Sequence, residues 1–143
     1  MTQLIDPKDP RYQIGVPSMV ETHDEFIALV NRLGEARDEE FGDLFNQLLE
    51  HTEEHFNSEN KLMETYRFPP IHIHMEEHQR VLGELRQLGE EVASGATTIA
   101  AARSEVAEQV PTWFNQHITT MDGALASHIK ALQAATGALE SED

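Results

Sequence analysis

His55 and Glu59 stand four residues apart in "HFNSE", and His74 and His78 stand four apart in "HMEEH". On a helix that spacing brings two side chains to one face, where imidazole and carboxylate donors can meet at one point. His117 and Asp122, in "HITTMD", pair the same donor types at a spacing of five. His23 stands alone near the start of the chain's first helical pattern. The chain has no cysteine, so thiolate metal sites, disulfides and cysteine nucleophiles are excluded. Within "IHIHMEEHQ" two periods compete. His72 and His74 are two apart, as on one face of a strand, while His74 and His78 have helical spacing.

The elements that must position these residues are helical. Val20, His23, Ile27 and Val30 recur at helical spacing after "SMVE", in which Ser18 and Glu21 have the pattern of a capping box. Asp38 is a candidate cap for a second helix carrying Phe41, Leu44, Phe45, Leu48, His55, Leu62 and Met63 on one stripe. After "RFPP", with Pro70 at a first helical position, Ile71, His74, His78, Val81, Leu85, Leu88 and Val92 trace a third, ending near Gly95. A fourth starts at Thr97 or Thr98 and runs through Val106, Val110, Trp113, His117, Met121, Leu125, Ile129 and Leu132. Pro111 lies inside it and should kink or split it, since it cannot donate to the carbonyl of Ala107. The expected fold is all-α: an antiparallel up-and-down four-helix bundle over residues 18–137. An extended proline-bearing arm (1–17) precedes it and an acidic tail (138–143) follows.

His23, His55, His74, His78 and His117 all fall on the apolar stripe of their helix. A lone imidazole there is ordinarily a hydrogen-bonded core residue. Five, with two carboxylates beside them, would leave several buried polar groups unpaired unless a metal collects them. One tetrahedral zinc needs fewer donors, and magnesium or calcium would prefer oxygen alone. Seven donors fit two metal ions if the carboxylates bridge them. Five residues of ideal helix leave His117 and Asp122 roughly 140° apart. A π-type distortion is therefore expected between Trp113 and Asp122 if both face one site.

Charge and hydropathy remove other classes of function. The formal net charge of −16 repels phosphate backbones and anionic lipid, so no nucleic-acid or membrane-surface role is expected. No apolar run approaches the length of a membrane span and no secretory signal is visible, which makes a soluble cytoplasmic protein the expectation.

With these residues assembled, the chain resembles the hemerythrin family, specifically its bacterial single-domain members. The match runs from about Tyr12 to Asp122. It rests on His23, "HFNSENKLM", "FPPIHIHMEEH" and "WFNQHITTMD" in family order. The resemblance implies two iron ions, one held by His74, His78 and His117, the other by His23 and His55. Glu59, Asp122 and a solvent-derived oxo or hydroxo group would bridge them. The second iron then keeps one position open, and in hemerythrins the ligand taken there, reversibly, is O2. Trp113, Phe114 and Ile118 match the family's apolar pocket positions in character, with Phe26 and Met63 as further lining. His51, His72 and His128 are expected to be bystanders, and Glu76 and Glu77 ordinary charged positions.

The chain departs from the family pattern at Val20 and Thr22, where Asp and Gln are frequent. It departs again at Phe68 and Leu125, where Tyr is common. The resemblance implies an O2 binder for storage, delivery or sensing, monomeric or weakly self-associating, rather than an enzyme. The competing reading is a di-iron enzyme or scavenger acting on nitric oxide, peroxide or a small oxidisable substrate.

Overall fold

A proline fixes where the first helix begins. The computed structural model describes residues 3–136. In it α1 (Pro17–Glu35) starts with Pro17 in its first turn and Val16 as N-cap, which has no side-chain capping bond. Ser18 therefore sits inside the first turn, not at the cap. The fixed φ of proline favours the first helical position and moves the boundary two residues upstream. α2 (Asp38–Thr65) likewise begins one residue earlier than a cap at Asp38 would place it, with Arg37 as N-cap. The Arg37 backbone N–H donates to Glu40 Oε1 at 3.2 Å. Asp38, Glu39 and Glu40 fill the first turn, where the helix dipole favours negative charge.

α3 (Ile71–Ser94) ends on Gly95, whose φ of 80° is the left-handed conformation that a helix C-terminus often requires. α4 (Ile99–His117) starts from Thr98, whose hydroxyl accepts from the Ala101 N–H at 3.0 Å. It does not split at Pro111 but continues through it. A π-helical turn, Ile118–Asp122, then joins α4 to α5 (Gly123–Thr136) without a break. α4, the π turn and α5 form one rod, the fourth of the bundle.

Short connections make consecutive rods antiparallel. α1 packs on α2 and α4, α2 on α3, and α3 on α4, closing the ring of an up-and-down four-helix bundle. The arm lies on the body. Asn31 Oδ1 accepts from the backbone N–H groups of Leu4 and Ile5, both at 2.9 Å, and Asn31 Nδ2 donates to the Ile5 carbonyl at 2.8 Å. Ile5, Tyr12 and Val16 are buried, and a short 3-10 turn, Pro10–Tyr12, interrupts the extended chain. The expected end of the bundle at Gly137 and the acidic tail lie outside the described residues.

Two apolar clusters fill the interior. The larger gathers Phe26, Val30, Phe41, Phe45, Leu85, Val106 and Phe114 toward the α1–α2 and α3–α4 connections. The smaller gathers Val16, Met19, Met63, Phe68, Leu125 and Ile129 toward the opposite end. The residues that interrupt the apolar stripes lie between the two.

Candidate metal centre

All seven donors predicted from sequence meet in one buried layer. His23, His55, Glu59, His74, His78, His117 and Asp122 are each no more than 6% exposed. Helical spacing delivers the α2 and α3 pairs, and the π turn delivers the last. By adding one residue to the turn, it brings Asp122 to the face that His117 occupies, and both side chains point inward.

The carboxylates divide their oxygens between two groups of imidazoles. Glu59 Oε2 lies 3.0 Å from His55 Nε2 and 3.4 Å from His23 Nε2. Its other oxygen, Oε1, lies 3.1 Å from His78 Nε2 and 3.4 Å from His74 Nε2. Asp122 repeats the division. Oδ2 is 2.9 Å from His23 Nε2, and Oδ1 is 3.0 Å from His74 Nε2 and 3.1 Å from His117 Nε2. Two overlapping donor sets result: Glu59, His74, His78, His117 and Asp122, and His23, His55, Glu59 and Asp122.

Only Glu59 Oε2 forms hydrogen bonds in this layer, with His55 Nε2 and His23 Nε2. The Nε2 atoms of His74, His78 and His117, Glu59 Oε1 and both Asp122 oxygens are buried without an aligned partner. Orphaned donors and acceptors in the interior cost several kcal/mol together. Lone pairs that converge on shared points, rather than on one another, are what a bound cation requires. The donor set, nitrogen-rich with two carboxylates and no sulfur, fits transition metals for which imidazole is a good ligand.

Without metal, the layer is held by ion pairs. Burial pulls the His23 and His74 imidazoles down, but the carboxylates of Asp122 and Glu59 beside them more than reverse it and leave each at about 9. Burial alone would raise the Glu59 and Asp122 carboxyls. The surrounding imidazoles instead hold both well below the usual carboxylate range. His78 moves the other way, its imidazole pushed down by burial.

Aromatic rings surround this layer. Phe56 stacks on His78 with ring centroids 4.0 Å apart and planes 5° from parallel. Phe114 stacks on Phe26 at 5.1 Å and meets His23 edge-on at 5.9 Å, while Phe26 stands edge-on to His55 at 6.5 Å. Trp113 stacks on His117 at 4.7 Å, and Ile118 is buried in the same cluster as Phe114. Met63 belongs to the smaller core beyond the site. An opening of about 300 Å³ between α1 and α2, lined by Thr22, Ser58 and Lys61 among others, reaches His55 and Glu59.

The family model described as "Hemerythrin HHE cation binding domain" matches residues 15–129. The chain belongs to the hemerythrin family. It is similar to a bacteriohemerythrin of Ralstonia nicotianae, 38% identical over 109 residues, which cover 76% of this chain and 77% of that protein.

Against that family background, the residues predicted to be bystanders separate from the layer. His72 is exposed. His51 Nε2 lies 3.3 Å from the Thr22 carbonyl, and His128 Nε2 lies 2.7 Å from the Tyr66 carbonyl. Two of the departures from the hemerythrin pattern, Phe68 and Leu125, are buried in the smaller core, and Phe68 meets His74 edge-on at 6.2 Å.

Sequence reasoning missed three neighbours of the ligand layer. Asn60 Oδ1 lies 3.1 Å from His78 Nδ1, Phe56 covers the His78 ring, and Glu77 accepts the Trp113 indole N–H at 2.7 Å. Glu77 is thus not the ordinary charged position expected. The "HF" pair carried the signal for Phe56, whereas Asn60, whose partner His78 is on another helix, had none. A charged residue between two ligands gave none for Glu77.

Proposed function

We propose that this chain holds two iron ions in the buried layer and binds O2 reversibly. The supporting observation is the division of Glu59 and Asp122, each presenting one oxygen to the His74–His78–His117 group and the other to His23 or His55. Three imidazoles against two make the pair of sites unequal, so the site held by His23 and His55 keeps a position free for a small ligand. A ferrous pair supplies the two electrons that reversible capture of O2 needs. Membership of a cation-binding family and likeness to a bacteriohemerythrin agree with this reading.

The chain's own residues do the rest. His55 and Glu59 are fixed by one helix, so both sets of donors keep their separation. Phe26, Phe114, Trp113 and Ile118 line the surroundings toward the larger core with apolar side chains, which favours holding a ligand over protonating and losing it. Outside the ligand set, the Tyr12 phenol meets Phe114 edge-on at 5.1 Å with its hydroxyl 3.5 Å from Asn115 Oδ1, and the Glu77 carboxylate is held by Trp113 and Arg80. Groups engaged in this way favour a carrier over an oxidase or a nitric-oxide or peroxide scavenger.

Anaerobic loading with ferrous iron should give two irons per chain. Visible bands should appear with O2 and disappear when it is removed, over repeated cycles. One-way oxidation, or steady consumption of peroxide or nitric oxide, would show an enzyme or scavenger instead. His117→Ala and Glu59→Ala should each lose stable binding of the second iron, whereas His72→Ala should keep both.

A further inference from the structure

A groove of about 680 Å³ lies between α3 and α4, with Phe26, Val81, Leu85, Val110, Arg80 and Trp113 among its lining residues. At its inner end the rings of Trp113 and Phe26 each face a histidine of the layer. Trp113 lines the groove and stacks on His117, with ring centroids 4.7 Å apart and planes 21° from parallel. It also stands edge-on to Phe26 at 6.4 Å and to Phe56 at 6.1 Å.

The indole is tied across to α3. Trp113 Nε1–H donates to Glu77 Oε2 at 2.7 Å. Arg80 grips the same carboxylate with both arms of its guanidinium, Nε to Oε1 at 2.9 Å and Nη2 to Oε2 at 2.8 Å. Its Nη1 donates to Glu84 Oε2 at 2.8 Å. A carboxylate held by a bidentate arginine is a stiff and strong acceptor. The Glu77–Arg80 pair therefore restricts one of the two rings, Trp113 and Phe26, that stand between the groove and the ligand layer.

We propose that Glu77 is a positioning residue that fixes Trp113 within the wall between the α3–α4 groove and the metal centre, and so sets how fast a small apolar ligand passes from one to the other. The second half rests on the O2-binding reading above; the first does not. Glu77 touches neither the metal donors' converging atoms nor the ligand position. It acts through the indole alone.

Trp113 is the only tryptophan in the chain, so intrinsic fluorescence reports this ring directly. In the metal-free protein, Glu77→Ala should raise acrylamide quenching of Trp113 by up to roughly tenfold, as expected for losing one charge-assisted hydrogen bond. Glu77→Gln, which keeps an oxygen acceptor, should restore most of the protection. Glu76→Ala, at the exposed neighbouring position, should change nothing. Helix content and melting should stay near wild type in all three.

In the iron-loaded protein, stopped-flow mixing with O2 should show faster association for Glu77→Ala. Trp113→Phe, which removes the donor and leaves Glu77 in place, should show the same. Unchanged quenching in Glu77→Ala overturns the positioning role. Raised quenching with an unchanged O2 association rate overturns the role in access. A wild-type protein that takes up no O2 sinks the carrier reading, and the metal-free quenching still decides the role of Glu77.

Discussion

His78 illustrates how a candidate metal ligand is oriented by residues outside the donor set. Its Nδ1 faces Asn60 Oδ1 at 3.1 Å, so that nitrogen carries the proton and Nε2 presents its lone pair toward Glu59 and the shared site. Phe56 lies flat on the ring and fixes its rotation. Partners of this kind are commonly worth about 10–100-fold in metal affinity. Asn60→Ala is expected to weaken iron binding by roughly that factor, measured by competition with a chelator, while helix content stays unchanged. Affinity equal to wild type would show that packing against Phe56 alone orients the ring. His55 and Glu59 were legible in the sequence because a spacing of four has a geometric meaning on any helix. Asn60 was not, because its bond crosses from α2 to α3 and no period within one helix encodes a neighbour on another. Glu77 was opaque for the same reason, its partner being on α4.

At the level of elements, the fourth rod was the most legible and the arm the least. The spacing of five between His117 and Asp122 conflicts with a regular α-helix if both face inward, and the conflict resolves as a π turn at Ile118–Asp122. Pro111 misled in part, because the rod passes through it unbroken; a proline removes one bond of the ladder, but packing on both sides can hold the helix together. The prolines of the arm signalled an extended segment without saying what it lies against. Its anchor is Asn31, a polar residue in the middle of α1 whose amide pairs with the backbone at Leu4 and Ile5 as a neighbouring strand would. Asn31→Leu removes these bonds at a cost of roughly 1–3 kcal/mol, confined to the arm. Faster tryptic cleavage at Lys8 and Arg11, with unchanged helix content, is the expected outcome. Cleavage at the wild-type rate would mean that burial of Ile5 and Tyr12 suffices to hold the arm.

Over the whole molecule, a polar layer divides two apolar cores, so the stability of the bundle is coupled to whatever occupies that layer. In the metal-free state His23 and His74 sit at about 9, above the 6.5 of a free imidazole. Their ion pairs therefore contribute fully below about 6.5 and are lost as pH rises through 9. Glu59 and Asp122 have carboxyls depressed below their ordinary values of 4.5 and 3.8, so their contribution is present above those values and lost as pH falls. The metal-free protein should be most stable between about pH 4.5 and 6.5. Metal binding runs against the same protons, because an imidazolium must lose its proton before it can ligate. Uptake should release protons from His23 and His74 at neutral pH, and apparent affinity should rise with pH toward 9. The difference in Tm between ferrous-loaded and chelator-treated protein, measured anaerobically by calorimetry, is thus expected to widen from pH 6.5 to 9. A difference that stays flat or narrows over that range would mean that these two histidines are already neutral in the metal-free fold. The layer would then be held by something other than the ion pairs its geometry displays.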